Sequence, residues 1–323
     1  MDQNISRNFD IGKVFSILVV VLGHYLGRKF PMLWVPVTVS LLIFSFSSSY
    51  FTYVKYNANY DIKIFWLRKV QRLGIKLAVI DLFLLLLFLI SHKSGIWTWQ
   101  TIVNVFGLNG FLNWFQIRNP SPFGRGMWFL TLLLIFYLLY PILEYLTRNK
   151  PISFFLTALF VLIAFYLHNH VEIGHALWLT ACGFVLGIVF ARNMVKIPLY
   201  LSVVALICCL FMMGYFNYFL GIKTYNYFLI LALGILSASV LINIRLPLAL
   251  FTASSFFSGC IFEIYLIHPY IRYQGTKYMF VDVMISFLVV IIAAKLLQLL
   301  SLEIEKRLLS QSNRLNKLET GIS

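Results

Sequence analysis

Three residues with chemistry to offer sit on the first apolar run of the sequence: Asp10, Lys13 and His24. Eleven residues separate Lys13 from His24. On a helix that is about three turns plus roughly 20°, so the two side chains share a face about 16 Å apart along the axis. Asp10 lies about 40° off the same stripe. Histidine is the side chain best matched to proton transfer near neutral pH. The plainer reading is that Asp10 and Lys13 mark a helix end and that His24 closes the run beside Arg28.

A second set, Arg68, Lys69 and Arg72 followed by Lys76, opens the third apolar run. Lys69, Arg72 and Lys76 fall at i, i+3 and i+7, so they form one cationic ridge provided that the helix starts early enough. Such a ridge suits phosphates, because an arginine fork can bind two oxygens at once. Positive charge beside an apolar run also serves as an orientation signal or a contact for anionic lipid. Further on, Glu263, Tyr265 and His268 gather just before Pro269, with Tyr265 and His268 at i, i+3. His268 is read either as a substrate contact or as a structural, hydrogen-bonded histidine. Glu144 stands near the end of another run as a supporting or loop-proximal charge. His168, His170 and His175 have no acidic or cysteine ligand beside them, so no metal site is expected. Cys182, Cys208, Cys209 and Cys260 lie in apolar runs without ligand spacing and point to no redox chemistry.

The elements that must carry these residues follow from composition. Of 323 residues, 61% are hydrophobic and 11% charged, where a soluble domain has about 25% charged. Apolar stretches of roughly the ~20 residues that cross a bilayer recur throughout. They are continuous rather than alternating, which excludes a β-barrel. The expectation is an all-α, polytopic integral membrane protein of about ten transmembrane helices, at about 11–28, 32–54, 73–91, 126–147, 152–168, 175–191, 198–219, 225–243, 250–271 and 279–301. No cleavable signal is expected ahead of the first span. The stretch from about 92 to 125 is the one long connection, with Trp97, Trp99 and Trp114 indicating an interfacial segment. The net charge of +15 is assigned mainly to topology, not to nucleic acid. With the N-terminus inside, most Lys and Arg fall on the cytoplasmic side, and both termini are expected there. Residues 1–303 form the membrane domain, and 304–323 a short basic cytoplasmic tail.

Arg7 to Lys13 leading to Leu22-Gly23-His24 resembles the opening of the acyltransferase-3 family, in which a basic residue and ten intervening residues precede a histidine. Lys69-Val70-Gln71-Arg72 resembles that family's basic-x-x-Arg motif. Met127-Trp128-Phe129-Leu130 resembles its Trp-Phe-Leu span, and Ile264 to Pro269 its Tyr-Leu-x-His-Pro segment. Gly183 and Gly187 fit a small-residue helix. Three positions depart from the pattern: Lys13 for the more usual Arg, Ser49 for Gly, and Gly126 where His is frequent. The resemblance is to the stand-alone form, without the hydrolase-like domain of longer relatives.

The resemblance implies an acyltransferase of a bacterial cytoplasmic membrane that moves an acyl group, most often acetyl, from acyl-CoA to a hydroxyl of a polysaccharide, glycan or lipid-linked saccharide. In that frame His24 is the catalytic base or a transient acyl carrier. Lys13, Arg68, Lys69 and Arg72 bind the donor, supported by Asp10, Trp128, Glu144, Tyr265 and His268. Acetyl-CoA is the donor substrate, no metal is expected, and the partners are acyl-CoA, the glycan acceptor and membrane lipids, with no nucleic acid. A polysaccharide polymerase or lipid-linked glycosyltransferase, or a transporter, would share the span count. The first usually carries a large charged external loop and the second repeat symmetry, and neither is visible.

Overall fold

A computed structural model describes residues 3–57, 60–171, 176–223 and 226–320. In chain order the helices are α1 (Gln3–Leu26), α2 (Trp34–Lys55), α3 (Ile62–Ile90), α4 (Trp99–Val105), α5 (Asn109–Trp114), α6 (Trp128–Leu146), α7 (Lys150–His170), α8 (Leu177–Asn193), α9 (Leu199–Gly214), α10 (Asn226–Asn243), α11 (Leu248–Ser258), α12 (Ile261–Ile267) and α13 (Met279–Thr320). A 3-10 turn at Pro31–Leu33 leads into α2, and a π-turn at Tyr215–Phe219 extends α9. No strand occurs among the described residues.

Eight of the described helices are long and apolar enough to cross a bilayer, and α11 with α12, bent by 48°, makes a ninth. α8, with 17 residues, is about 25 Å long and falls just short. Each of the ten expected spans therefore has a helical counterpart, with two differences in form. The ninth is broken near Gly259 rather than continuous. The third starts at Ile62 instead of 73, because Asp61 caps it by accepting from the Ile64 N–H at 3.0 Å. That early start meets the condition for the cationic ridge. At the other end of the chain, the residues expected as a tail continue helix α13 to Thr320.

α1 lies at the centre, against α2, α10, α11, α12 and α13, while α2 packs most extensively on α8. Glycine explains that second contact. A side chain at Gly183 would strike Ser45, and one at Gly187 would strike Ser49 and the Phe46 carbonyl. Ser49 is thus accommodated by Gly187 on the facing helix. α9 presents Leu201, Val204 and Phe211 outward, as a lipid-facing helix does.

The long connection folds back onto the bundle. Asn104, fully buried, donates to the Phe123 carbonyl at 3.1 Å and accepts from Asn109 at 3.1 Å. Thr131 of α6 donates to the Gly107 carbonyl at 2.7 Å and accepts from the Gly110 N–H at 2.8 Å. Backbone polar groups in an apolar setting are satisfied internally, and these amide and hydroxyl contacts serve that purpose between α4, α5 and α6.

Candidate active site

The ridge on α3 opens into a cavity of about 290 Å³ whose wall includes Lys13, Lys55, Lys69, Arg72, Lys76 and Tyr137. A second cavity, about 300 Å³, shares Lys13, Ser48, Arg72, Lys76 and Phe262 with it and continues to Phe129 and Tyr265. The two adjoin, charged at one end and apolar at the other. Lys69 donates to Thr52 at 3.2 Å, with its ammonium 4.0 Å from the Tyr137 ring centroid. Lys13 pairs with Asp10 at 2.7 Å. Arg68, about 100° round the helix from Lys69, is exposed and lies outside both walls.

Lys55 and Lys76 are cavity cations outside the donor-binding set expected from sequence, although Lys76 stands on the same ridge as Lys69 and Arg72. Lys76 reaches across to α12 and pairs with Glu263 at 2.8 Å; Glu263 is fully buried, and its Oε2 has no hydrogen-bond partner among the described residues. Glu144 belongs elsewhere. It receives Arg192 at 3.2 Å and Arg148 at 3.3 Å, and Arg192 also donates to its backbone carbonyl at 2.7 Å. This clamp ties the end of α6 to the end of α8, outside the cavities. Trp128 sits half-buried at the start of α6 with its ring against Phe129, and Phe129 is the one that lines the cavity.

At the far end of α1, the His24 ring lies 4.9 Å from the His268 ring and 5.6 Å from Trp34, centroid to centroid. Gly23 lets α2 close on α1 here, since a side chain would strike Val37. Tyr25 fastens the same region by donating to the carbonyls of His268, at 3.1 Å, and Ile271, at 2.7 Å. His24 is exposed and His268 is buried. Nδ1 of His268 faces two carbonyls, Tyr265 at 2.7 Å and Ile264 at 3.2 Å. Carbonyl oxygens only accept, so Nδ1 carries the proton and, in the neutral ring, Nε2 is a bare acceptor. That Nε2 is buried and has no hydrogen-bond partner among the described residues.

Tyr265 stands between the cavity and the histidines. Its ring is 5.8 Å from Phe129 and 6.1 Å from His268, and its hydroxyl donates to the Gly126 carbonyl. Gly126 has φ of 74°, a left-handed backbone suited to glycine. Glycine at this position thus presents its carbonyl to Tyr265. The stripe from Lys13 to His24 does not itself form a passage. Ile17 and Val20 fill it and are 0% and 1% exposed, so the open space runs beside the stripe, past Phe129, and ends at Tyr265.

His168 and His170 take no part in this site. His170 bonds the Tyr166 carbonyl at 2.8 Å and His168 packs against Tyr227; His175 lies outside the described residues. A family model for an acyltransferase domain, that of the acyltransferase-3 family, matches residues 6–299. No curated protein and no solved structure matches the chain.

Proposed function

The chain belongs to the acyltransferase-3 family, and from that premise we propose that it moves an acyl group, most simply acetyl, from cytoplasmic acyl-CoA to a hydroxyl of an envelope or secreted glycan, free or lipid-linked. The observation that carries this reading is the pair of adjoining cavities that begins among Lys13, Lys55, Lys69, Arg72 and Lys76 and ends at the tyrosine backing two histidines. Coenzyme A is rich in phosphate and ends in an uncharged arm. A mouth lined by cations followed by an apolar chamber matches it in that order. With this mouth in the cytoplasm, as the excess of Lys and Arg on that side favours, both termini are cytoplasmic. The membrane is then the cytoplasmic membrane of a bacterium.

Lys69 and Arg72 bind the donor's phosphates, with Lys13 held in place by Asp10. The thioester arm extends toward Tyr265, and the acceptor hydroxyl reaches His24 from the exposed side. His24 removes the hydroxyl proton as the oxygen attacks the thioester carbonyl. The C–S bond breaks as the tetrahedral centre collapses, and the imidazolium returns its proton to the departing thiolate. An N–H of His24 turned toward the bare Nε2 of His268 leaves the other His24 nitrogen free to act as base, the orienting arrangement of paired catalytic side chains. Holding donor and acceptor together supplies much of the acceleration.

Radiolabelled acetyl-CoA incubated with membranes and glycan tests the reading. Label is expected in the glycan, whereas glycan lengthening or solute uptake without label would favour a polymerase or a transporter. A second expectation concerns the ridge. Lys69→Gln and Arg72→Gln should each raise the donor KM about tenfold, the factor one charge-assisted hydrogen bond supplies, with a smaller change in kcat. A donor titration that matches wild type would reduce the pair to a topology signal.

A further inference from the structure

One carboxyl of the bundle is unused by the chemistry above. Asp81 lies on α3, is 6% exposed, and neither of its oxygens has a hydrogen-bond partner among the described residues. It faces a groove of about 870 Å³ between α3 and the segment that carries α4, whose wall includes Ile96, Trp97, Trp99, Phe106 and Phe123. A carboxyl walled in by apolar groups without a partner is costly whether charged or neutral. Such an acceptor is satisfied by hydroxyl donors brought by a ligand.

The rest of the groove narrows the class of ligand. Trp97 and Trp99 are 83% and 55% exposed, so two broad rings stand open beside the acceptor, and apart from Thr98 and Thr101 the remaining walls are hydrocarbon. A carboxyl with flanking aromatic faces suits a sugar ring, whose hydroxyls donate and whose C–H faces are apolar. The hydrocarbon walls suit an attached lipid chain. A phosphate, which brings negative charge and acceptors, does not match Asp81.

The groove also leads to the histidines. Phe88 is seven residues beyond Asp81 on α3, two turns along nearly the same face. Its ring lies 4.8 Å from Phe123, which lines the groove, and 5.5 Å from Tyr270, two residues beyond His268. One aromatic layer therefore separates the groove from the strip that carries His268.

We infer that this groove holds the saccharide head of a lipid-anchored acceptor, the Asp81 carboxyl accepting its hydroxyls and Trp97 and Trp99 covering its faces. The inference rests on the acyl-transfer reading for its biological meaning, but its test reads binding alone. The full chain in nanodiscs is exposed to dodecyl maltoside bearing a photoactivatable diazirine next to the sugar, and labelled peptides are identified by mass spectrometry. Label is expected within residues 96–106, displaced by unlabelled dodecyl maltoside and not by dodecanol. Asp81→Leu should lower it severalfold, the weight of the hydrogen bonds lost with the carboxyl. Trp97→Ala, at a largely exposed position where folding is not at stake, should lower it severalfold. Displacement by dodecanol as effective as by the glycoside would overturn the inference and leave a lipid slot. So would wild-type labelling in Trp97→Ala and in a folded Asp81→Leu. Failure of wild-type membranes to transfer labelled acetyl to any glycan would instead remove the acyl-transfer reading and leave the sugar preference standing.

Discussion

His24→Ala is expected to lower acyl transfer by about 10²–10⁴-fold, the usual contribution of a positioned general base, while the protein still inserts and unfolds as wild type does. The separation of the two effects follows from where the side chain sits. His24 is exposed near the end of α1, so truncation removes an imidazole without opening a void in packed core. His268, 1% exposed, offers no such clean deletion, since its loss would also empty a buried site beside Tyr25 and Tyr265. Rates in reconstituted membranes, with thermal unfolding of the same preparations, check both halves. Acylation retained at the wild-type rate would take His24 out of the mechanism. Brief exposure to labelled donor without acceptor separates the two routes open to the imidazole. Label left on the protein in wild type and absent in His24→Ala marks an acyl carrier, and label in neither marks a base.

The pairing of His24 with His268 could not be read from spacing, because the residues are brought together only by the crossing of α1 and α12, fixed in part by Tyr25. The ridge could be read, since i, i+3, i+7 periodicity alone puts Lys69, Arg72 and Lys76 on one face. The same periodicity sets Arg68 aside, although it belongs to the same run of basic residues. The ten apolar runs were legible as helices because length and hydropathy suffice for that. The 48° break between α11 and α12 and the filling of the Lys13–His24 stripe by Ile17 and Val20 depend on how neighbours pack. Glu144 and Glu263 look alike as isolated acids in apolar runs. Only packing distinguishes a clamp beneath α6 and α8 from a cavity-side partner of Lys76. Asp81 had a usable signal that went unread: an ionisable residue deep in an apolar span is a functional candidate by the rule that drew attention to His24.

Lys76→Ala is expected to destabilise the folded protein by about 3–5 kcal/mol, the range for breaking a buried ion pair from one side. Among the described residues Lys76 is the only hydrogen-bond partner of the Glu263 carboxylate, through Oε1, and the carboxylate is fully buried. Without the ammonium, a fully buried carboxylate loses its counter-charge. The double variant Lys76→Met with Glu263→Gln should recover most of that loss, because neutral groups of similar volume carry no stranded charge. Thermal unfolding of the reconstituted protein ranks the three, and equal stability of Lys76→Ala and wild type would show that the pair holds nothing together. The double variant also separates two uses of the lysine. If Lys76 serves to hold α12, and with it Tyr265 and His268, then the double variant keeps the wild-type donor KM once stability is restored. If the ammonium also meets a phosphate in the cavity, stability returns while the donor KM stays about tenfold high, as for Lys69 and Arg72.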